Sequence, residues 1–359
     1  MKTIYLIIIL LLIFFIYYNI IYNCFIISTK KKYNNIIVTS ESLGLVNDSK
    51  IIKQYIEDEC NITFNIISIP TVFICGNFVL MNFVSNSIKF NNIIVAETHP
   101  IYINKKICHN FILIPNIDHF NMKQLKEYDM VLTKNLFTFN IISPYHNNVI
   151  NIGFTSLIQP YNKQKNRYNF VHMAGKSPYK GTIRLIEFWK KNKDFMKQNN
   201  YYLIIICRYV MFTNTFQYIY SKYNTSIDDN IYHYRTREES HIDVFDCMFH
   251  ICTSENEGFG HYINEAKSAG CIVITLDNMP MNEIITDDIG FLIKNNIMKK
   301  YNNVINSYEF NMDDLIRIFN YIKTCDDNKL MEYSYKSYIS FYENHNNFLN
   351  NLKKIKWIT

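Results

Sequence analysis

The stretch SENEGFGHYINEAKSAG, residues 254–270, holds three of the chain's nine glycines and three glutamates, two of which are spaced eight positions apart. It follows an apolar run and precedes a helical pattern. Gly258 and Gly260 allow the backbone to approach a ligand closely, and the start of a helix offers unpaired N–H donors to a phosphate. Glu257 and Glu265 supply carboxylates, which bind sugar hydroxyls well. The stretch therefore predicts a site for a phosphorylated sugar, although an ordinary glycine turn with solvated acids has the same pattern.

A second turn, HMAGKSPYKG at residues 172–181, also follows a predicted strand and precedes a predicted helix. Gly175 permits a tight turn, and Lys176 and Lys180 supply two cations that can neutralise a diphosphate. The spacing is not that of a Walker P-loop. Taken alone, these residues are equally compatible with surface lysines in a lysine-rich chain.

Taken in order, four segments resemble the GT-B fold glycosyltransferases, specifically glycosyltransferase family 4 and its relatives (glycosyl transferases group 1). Residues 254–270 look like the family's Glu-x7-Glu signature, and GKSPYKG is similar to its phosphate loop. NIGFTSL (151–157) and DNMPMNEII (277–285) are similar to further segments of these enzymes. The likeness is strong over 149–290 and faint over 36–148. It implies an α/β fold of GT-B architecture, with two doubly wound Rossmann-like domains that face a cleft.

The resemblance also implies a retaining, hexosyltransferase-type enzyme whose substrate is a nucleotide-diphosphate sugar, with no cofactor and no obligatory metal. Glu265 would bind the donor ribose, and Glu257 would face the donor sugar and the reacting centre. Lys180 would contact the diphosphate, and Lys176 stands where the family usually has arginine. The implied catalytic residues are Glu257 and Lys180. The implied donor-binding residues are Gly175, Lys176, Lys180, Gly258, Phe259, Gly260 and Glu265.

The N-terminal half is expected to supply the acceptor site. Family members often have a histidine near the sugar, and His99 and His119 are the candidates here. Asn116 lies at the end of a predicted strand, where ligands gather in α/β sheets. All three are equally compatible with structural or turn-forming roles.

The rest of the chain alternates short apolar runs with amphipathic segments, a pattern typical of α/β proteins. Continuous Ile and Val runs indicate strands buried on both faces, as in parallel sheets. A TIM barrel alternates in the same way, but the polar stretch 159–167 favours a linker between two domains. We expect an acceptor domain over 33–158, a nucleotide-sugar domain over 168–335, and a C-terminal helix over 336–359 that packs back on the first domain. Predicted strands are 36–40, 62–69, 71–75, 93–97, 111–114, 130–133, 149–152, 170–174, 202–207, 230–234, 250–253, 272–276 and 291–294. Predicted helices are 49–59, 122–128, 182–191, 238–248, 261–269 and 281–286.

The N-terminus carries an apolar run that starts at Ile4 and, with two asparagines tolerated, reaches Ile27. This is about the length that a membrane helix needs. A cleaved signal peptide is the alternative, but the run is too long for one and no small-residue cleavage site follows. We therefore predict a single-pass transmembrane anchor over residues 1–28. Three lysines, residues 30–32, follow it and place the catalytic body in the cytoplasm by the positive-inside rule.

Charge and cysteine usage exclude other classes of protein. The net charge is only +6 and the lysines are scattered, so nucleic acid is not an expected partner. The nine cysteines are odd in number and widely spaced, without a CxxC pair or a metal-ligand cluster. This usage is typical of a reducing compartment.

The predicted function is transfer of a sugar from a nucleotide-diphosphate sugar to a glycan, lipid-linked or protein acceptor near a membrane. One alternative is a catalytically inactive GT-B-like protein that serves as a membrane-tethered binding or scaffold subunit. The lysine at position 176 and the small N-terminal half motivate this alternative. Another alternative is a nucleotide-sugar phosphorylase or epimerase. An epimerase of the dinucleotide-binding type needs an early G-x-G-x-x-G motif, which this chain lacks. The identities of the base, sugar and acceptor stay open.

Overall fold

The chain forms two compact α/β units in a computed structural model. The first unit comprises Met1–Thr133, Ile142–Ile150 and Asn351–Thr359, and the second comprises Lys134–Ile141 and Asn151–Asn350. The structure describes residues 29–30, 32–40, 43–69, 89–97, 105–117, 120–175, 177–207, 229–234, 236–240, 242–300 and 306–358.

The first unit is built on a six-stranded sheet with strand order β2-β1-β3-β4-β5-β6. Its strands are β1 (Asn35–Ser40), β2 (Asn65–Ile69), β3 (Phe90–Glu97), β4 (Cys108–Pro115), β5 (Met130–Thr133) and β6 (Val149–Asn151). Strands β1 to β5 pair in parallel. Every residue of β1 is buried, because helices cover both faces of such a sheet. Helix α1 (Leu43–Cys60) follows β1 and buries Ile51, Ile52 and Ile56.

The last residues of the chain pack on this first unit. The buried Asn92 side chain on β3 donates from Nδ2 to the carbonyl of Ile358 at 2.6 Å and to Oδ1 of Asn35 at 2.7 Å. The ring of Trp357 meets Phe64 edge to face, with centroids 5.8 Å apart. The C-terminus is thus hydrogen-bonded to β3, and the two bonds satisfy the donors of the buried Asn92 amide.

The second unit contains another six-stranded sheet, with order β12-β11-β10-β7-β8-β9 and parallel pairing between all neighbours. Its strands are β7 (Asn166–Gly175), β8 (Tyr202–Cys207), β9 (Ile231–Tyr234), β10 (Cys247–Cys252), β11 (Ile272–Leu276) and β12 (Gly290–Ile293), and a hairpin adds β13 (Asn295–Lys300) and β14 (Asn306–Phe310). Its helices are α2 (Leu136–Ile142), α3 (Thr182–Lys191), α4 (Lys193–Gln198), α5 (His261–Ser268), α6 (Met281–Ile284), α7 (Met312–Thr324) and α8 (Asp327–Lys353).

The order of strands in the second sheet creates a switch point between β7 and β10. From β7 the chain winds outward through β8 and β9, then returns to β10 beside β7 and winds outward the other way. Ligands of doubly wound sheets bind outside the carboxyl ends of the strands at such a point. An aromatic cluster on this sheet fixes the two strands, because the rings of Phe170 on β7 and Phe249 on β10 stack 4.7 Å apart. Trp189 and Phe319, both fully buried, pack edge-on and tilted against Phe170.

Two parallel-sheet, Rossmann-like α/β units confirm the part of the predicted fold class that concerns the two domains, and they exclude a TIM barrel. The predicted helix over 238–248 is wrong. Two short 3₁₀ turns, Glu238–Ser240 and Val244–Asp246, replace it, and β10 begins at Cys247. The Asp243 side chain caps the second turn by accepting from the N–H of Phe245 at 2.9 Å, and complete burial of CMFHIC beside β7 overrides any helical preference.

The stretch 159–167, predicted as a linker, lies within the second unit. The N–H of Gln159 donates to Oγ of Ser268 at 2.9 Å, and Nδ2 of Asn162 donates to Oδ1 of Asp246 at 2.7 Å. The polar residues of this stretch are therefore used for bonds to the second sheet's loops and to α5.

No helix within the described ranges is long and apolar enough to cross a bilayer. The predicted anchor over residues 1–28 and the predicted strand over 71–75 both lie outside those ranges.

Candidate active site

The strands at the switch point each continue into a glycine-containing turn. Strand β7 leads into residues 175–181, which we call the lysine turn, and β10 leads into residues 253–260, which we call the glutamate turn. Because β7 and β10 are parallel neighbours, both turns leave the same edge of the sheet. The two motifs that the sequence singles out therefore lie side by side.

Hydrogen bonds join the two turns directly. The hydroxyl of Thr253 donates to the carbonyl of Lys180 at 2.9 Å, and the N–H of Glu255 donates to the carbonyl of Tyr179 at 2.9 Å. Gly181 adopts φ +67°, and a Cβ at this position would collide with the backbone oxygen of Thr253. Only glycine fits this left-handed position at such close approach, so the sequence feature is explained by contact between the turns.

The structure brings together Lys180 and Glu257, the two predicted catalytic residues. Nζ of Lys180 forms a short ion pair with Oε1 of Glu257, and the hydroxyl of Ser254 donates to the same oxygen at 2.6 Å. The Lys180 and Glu257 side chains are 22% and 13% exposed. Partial burial strengthens this pair relative to a surface ion pair, and it fixes both side chains at the switch point.

Helix α5 begins at the end of the glutamate turn and leaves its first N–H groups without a side-chain cap. Its N-cap is Gly260, with φ +83°. The first helical residue, His261, is held through Nδ1 by the hydroxyl of Ser156 at 2.8 Å. Phe259 is 7% exposed and packs edge to face on Phe154, with ring centroids 5.1 Å apart. Uncapped N–H groups and the positive end of the helix dipole form a suitable place for an anion.

Glu265, the predicted ribose ligand, is paired with a residue that the sequence patterns missed. An Nη2 atom of Arg237 donates to Oε2 of Glu265 at 2.7 Å. The guanidinium also lies over the ring of Phe245, 4.8 Å from its centroid. No local motif marks Arg237, because it lies in the irregular segment that leads from β9 to β10.

A buried histidine braces the lysine turn from below. The ring of His172 on β7 bonds through Nδ1 to the carbonyl of Ile251 on β10 and through Nε2 to the hydroxyl of Thr182 at the start of α3, each at 2.9 Å. Burial is the main cause that lowers the pKa of His172 from 6.5 to about 4; the hydrogen bond to the Ile251 carbonyl opposes it, and the charge of Lys180 acts in the same direction as burial. The ring is therefore neutral near pH 7, with Nδ1–H as donor and Nε2 as acceptor of the Thr182 hydroxyl.

Residues just after β5 also contact the glutamate turn and belong to the same unit. Nδ2 of Asn135 donates to the carbonyl of Gly258 at 2.9 Å. Nζ of Lys134, a residue only 5% exposed, lies 5.6 Å from the ring centroid of Phe154. No sequence motif pointed to Asn135, because it lies more than a hundred positions away from the turn that it contacts.

The other predicted site residues divide into described and undescribed positions. Gly175 ends β7 with φ +59° and open space around its Cα, as a turn at this point requires. Asn116 lies in the first unit at the end of β4, where its carbonyl accepts from the N–H of Phe120 at 3.1 Å. Its acceptor role stays a prediction. Lys176, His99 and His119 lie outside the described residues.

Residues 154–321 match the family of glycosyl transferases group 1. The matched region contains the lysine turn, the glutamate turn and α5, so it includes every described candidate donor-site residue. No curated protein sequence matches the chain at a significant level.

Solved structures of glycosyltransferases share this fold. A glycosyltransferase from Rickettsia africae ESF-5 has a TM-score of 0.61 and 15% identity, with 89% of this chain and 96% of that chain covered. Anabaena Alr3699/HepE, solved in complex with UDP and glucose, has a TM-score of 0.58 and 11% identity, with 89% and 99% covered. TarM has a TM-score of 0.53 and 17% identity over 73% of this chain, which spans only 55% of the TarM chain. At these identities the likeness shows a shared fold.

Proposed function

We propose that this protein, of which residues 154–321 match the glycosyl transferases group 1 family, transfers a sugar from a nucleotide-diphosphate sugar with retention of configuration. The observation that carries the proposal is the convergence of Lys180, Glu257 and the uncapped start of α5 at the switch point of the second sheet. A cation, a carboxylate and a helix N-terminus together match the charges of a diphosphate and the hydroxyls of a sugar.

In this proposal the donor diphosphate lies between the Lys180 ammonium and the first turn of α5. The ammonium has three N–H donors, so it can keep Glu257 and still bind a phosphate oxygen. The backbone of Gly258, Phe259 and Gly260 lies against the phosphates and the sugar. Glu265 receives the ribose hydroxyls, with its carboxylate oriented by Arg237 at 2.7 Å.

The proposed reaction breaks the bond between the sugar's anomeric carbon and the β-phosphate oxygen. The acceptor oxygen forms its bond on the same face of the sugar, and its proton passes to the departing phosphate. Lys180 and the N–H groups of α5 stabilise the charge that grows on the leaving nucleoside diphosphate. Glu257 holds the sugar hydroxyls close to the reacting carbon. Because these cationic and N–H groups act on the leaving group, we propose catalysis without an obligatory metal.

We further propose that the acceptor is a glycan, lipid-linked or protein group near a membrane. The apolar N-terminal run and the lysines that follow it support an anchor with the enzyme body in the cytoplasm. Protease protection of the full chain in sealed membrane vesicles tests this arrangement. In vesicles whose cytoplasmic face points outward, protease added outside is expected to digest the enzyme body. Digestion only after the vesicles are opened contradicts this arrangement.

The experiment that tests the activity measures donor turnover across UDP- and GDP-sugars with the full chain. Lys180→Ala and Glu265→Ala are expected to lower hydrolysis and transfer strongly, whereas Lys191→Ala, at an exposed position on α3, leaves both intact. Normal turnover in the first two variants rejects the proposed site. Tight binding of nucleotide sugars without turnover on a broad acceptor panel supports the scaffold alternative instead.

A further inference from the structure

A cavity of about 560 Å³ opens at the amino ends of β7 and β10, at the sheet edge opposite the two glycine turns. Its size lies within the range of small-molecule sites. Lys163, Lys165 and Arg167 contribute three positive charges to its wall, and Asp327 contributes one negative charge. The four charged groups therefore leave the cavity with a net charge of about +2.

Two of the three cations are held in place by other groups of the second unit. Nζ of Lys165 donates to the carbonyl of Phe245 at 2.6 Å. The guanidinium of Arg167 donates to Oδ1 of Asp327 at 2.5 Å and to the carbonyl of Cys325 at 3.1 Å. Each cation has more N–H donors than these bonds use, so both can bind a further acceptor without rearrangement. Preorganised charges bind an anion with little loss of side-chain entropy.

The same cavity has an apolar side. Met248 from the start of β10 is 4% exposed and lines the wall together with Met331 of α8. Tyr168 is 47% exposed at the cavity, and Cζ of Arg167 lies 6.0 Å from its ring centroid. Methionine side chains adapt to irregular apolar groups, and an aromatic ring offers a flat surface for stacking. The lining thus combines fixed cations with an apolar wall.

We propose that this cavity binds a phosphate group that is attached to an apolar or aromatic body. A phosphate carries close to two negative charges near pH 7 and three acceptor oxygens, which matches the net charge and the unused donors. The site is formed entirely within the second unit and does not rest on the proposed sugar transfer. Two sources of the phosphate are compatible with it, a soluble phosphate ester and an anionic lipid headgroup.

The test measures binding of inorganic phosphate and phenyl phosphate to the full chain by calorimetry. A Lys180→Gln background removes the cation of the candidate donor site, so that binding there does not contribute. The Lys163 side chain makes no described hydrogen bond, so its replacement costs none. We expect Lys163→Gln to weaken phosphate binding about tenfold. Lys191→Gln, an exposed lysine elsewhere on the same unit, is the matched control and leaves binding unchanged.

A second variant separates a binding site from a structural cluster. Asp327→Asn removes only the negative charge, from a side chain that is 78% exposed, and we expect phosphate to bind more tightly. A cluster that serves folding alone predicts no gain. Phenyl phosphate is expected to bind more tightly than inorganic phosphate, because only the ester reaches the methionine and tyrosine side.

Vesicles distinguish the two sources. Phosphatidylcholine vesicles with and without phosphatidylglycerol are compared for co-sedimentation, so that binding through the rest of the chain cancels. A gain from the anionic lipid that Lys163→Gln removes assigns a lipid headgroup to the site, and binding of the soluble esters alone assigns a soluble ligand. Phosphate and vesicle binding that are equal in the Lys163→Gln and Lys191→Gln variants overturn the proposal.

Discussion

The guanidinium of Arg237 holds the carboxylate of Glu265 at 2.7 Å, although β10 and the glutamate turn separate the two residues along the chain. Only one carboxylate oxygen, Oε2, takes part in this ion pair. The stacking of Arg237 on the ring of Phe245 restricts the orientation of the guanidinium. The pair therefore sets the direction in which Glu265 presents its other oxygen.

Replacement of Arg237 by alanine is expected to raise the donor KM about tenfold with little change in kcat, because the carboxylate loses its orientation before the reaction begins. Arg237→Lys is expected to restore only part of the affinity, since lysine lacks the planar fork. The measurement is steady-state kinetics with varied donor. Arg184→Ala is the control, because the Arg184–Glu309 ion pair in the same unit has similar exposure. Equal effects of Arg184→Ala and Arg237→Ala contradict the positioning role.

The Lys180–Glu257 pair is expected to act as a unit in catalysis. Lys180→Met and Glu257→Gln should each lower kcat about 10²-fold, because each removes a charge at the reacting centre. The double variant should lose much less than the product of the two single losses, since the ion pair couples the two side chains. A double-mutant cycle in kcat/KM measures the coupling. Strictly multiplicative losses would show that the two groups act independently.

His172 is expected to make the second unit sensitive to acid. Its pKa is about 4 in the folded protein and 6.5 when unperturbed, so its stabilising contribution is complete above pH 6.5. The unfolded state takes up the proton first as pH falls, and stability is lost progressively between pH 6.5 and 4. The main reason is that burial of the ring disfavours its charged form, and an imidazolium also cannot accept the Thr182 hydroxyl hydrogen bond at Nε2.

The measurement is urea unfolding followed by the fluorescence of Trp189, which is fully buried in the second unit. A Trp357→Phe background makes Trp189 the only tryptophan, because the chain has two. His172→Phe is expected to be less stable at pH 7 but to lose less further stability between pH 6.5 and 4. A pH dependence identical to that of the parent would exclude His172 as the titrating group.

Lys267 on α5 is expected to make the stability of the second unit depend on pH in the alkaline range. Burial lowers the pKa of this lysine from 10.5 to about 8, with the charge of Glu343 acting in the other direction. Nζ is bonded only to neutral groups, the carbonyl of Ile284 at 3.0 Å and the hydroxyl of Ser340 at 3.2 Å. The folded state therefore releases its proton before the unfolded state does, and stability rises as pH increases from about 8 to 10.5.

Lys267→Met is expected to remove this rise, because methionine has similar length and no titrating group. The measurement is the difference in unfolding free energy between parent and variant at several pH values. This difference cancels the contributions of the other lysines and of the tyrosines, which parent and variant share. Lys191→Met is the exposed control and should leave the rise intact. A parent and a Lys267→Met variant with parallel profiles would contradict this assignment.

Gly181 and Gly153, two of the glycines with left-handed backbone, offer a matched test of contact between the turns. Both have φ +67°, but a Cβ on Gly153 meets open space whereas one on Gly181 collides with the Thr253 backbone. Gly153→Ala is expected to cost about 1 kcal/mol from backbone strain. Gly181→Ala should cost about 3 kcal/mol, since it adds steric displacement of the glutamate turn, and it should lower kcat as well. An equal loss of unfolding free energy in Gly153→Ala and Gly181→Ala would show that the two turns separate easily.

Much of the fold follows from local sequence patterns. The helix predicted over 182–191 is observed as Thr182–Lys191, and the strands of the second sheet lie within a few residues of their predicted positions. Continuous apolar runs between polar turns fix such elements, because burial on both faces leaves little choice of register. The segment 238–248 failed because its short polar turns and its apolar strand together imitate an amphipathic helix.

The candidate site was predictable to the extent that its residues share a motif. The lysine and glutamate turns were visible because each places glycine and charge at a strand end. Arg237 and Asn135 carry no such local signal, and they reach Glu265 and the glutamate turn only through the tertiary fold. The roles of Lys176, His99 and His119 stay predictions.

The two bonds between the turns, from Thr253 to Lys180 and from Glu255 to Tyr179, have a consequence for engineering. They make the loops after β7 and β10 a single structural unit, although some seventy residues of chain separate them. A chimaera that receives one loop from a relative without the other would bring mismatched hydrogen-bond partners to the switch point. Under the proposed function, we therefore expect donor preference to be transferred between relatives only as a matched pair of loops.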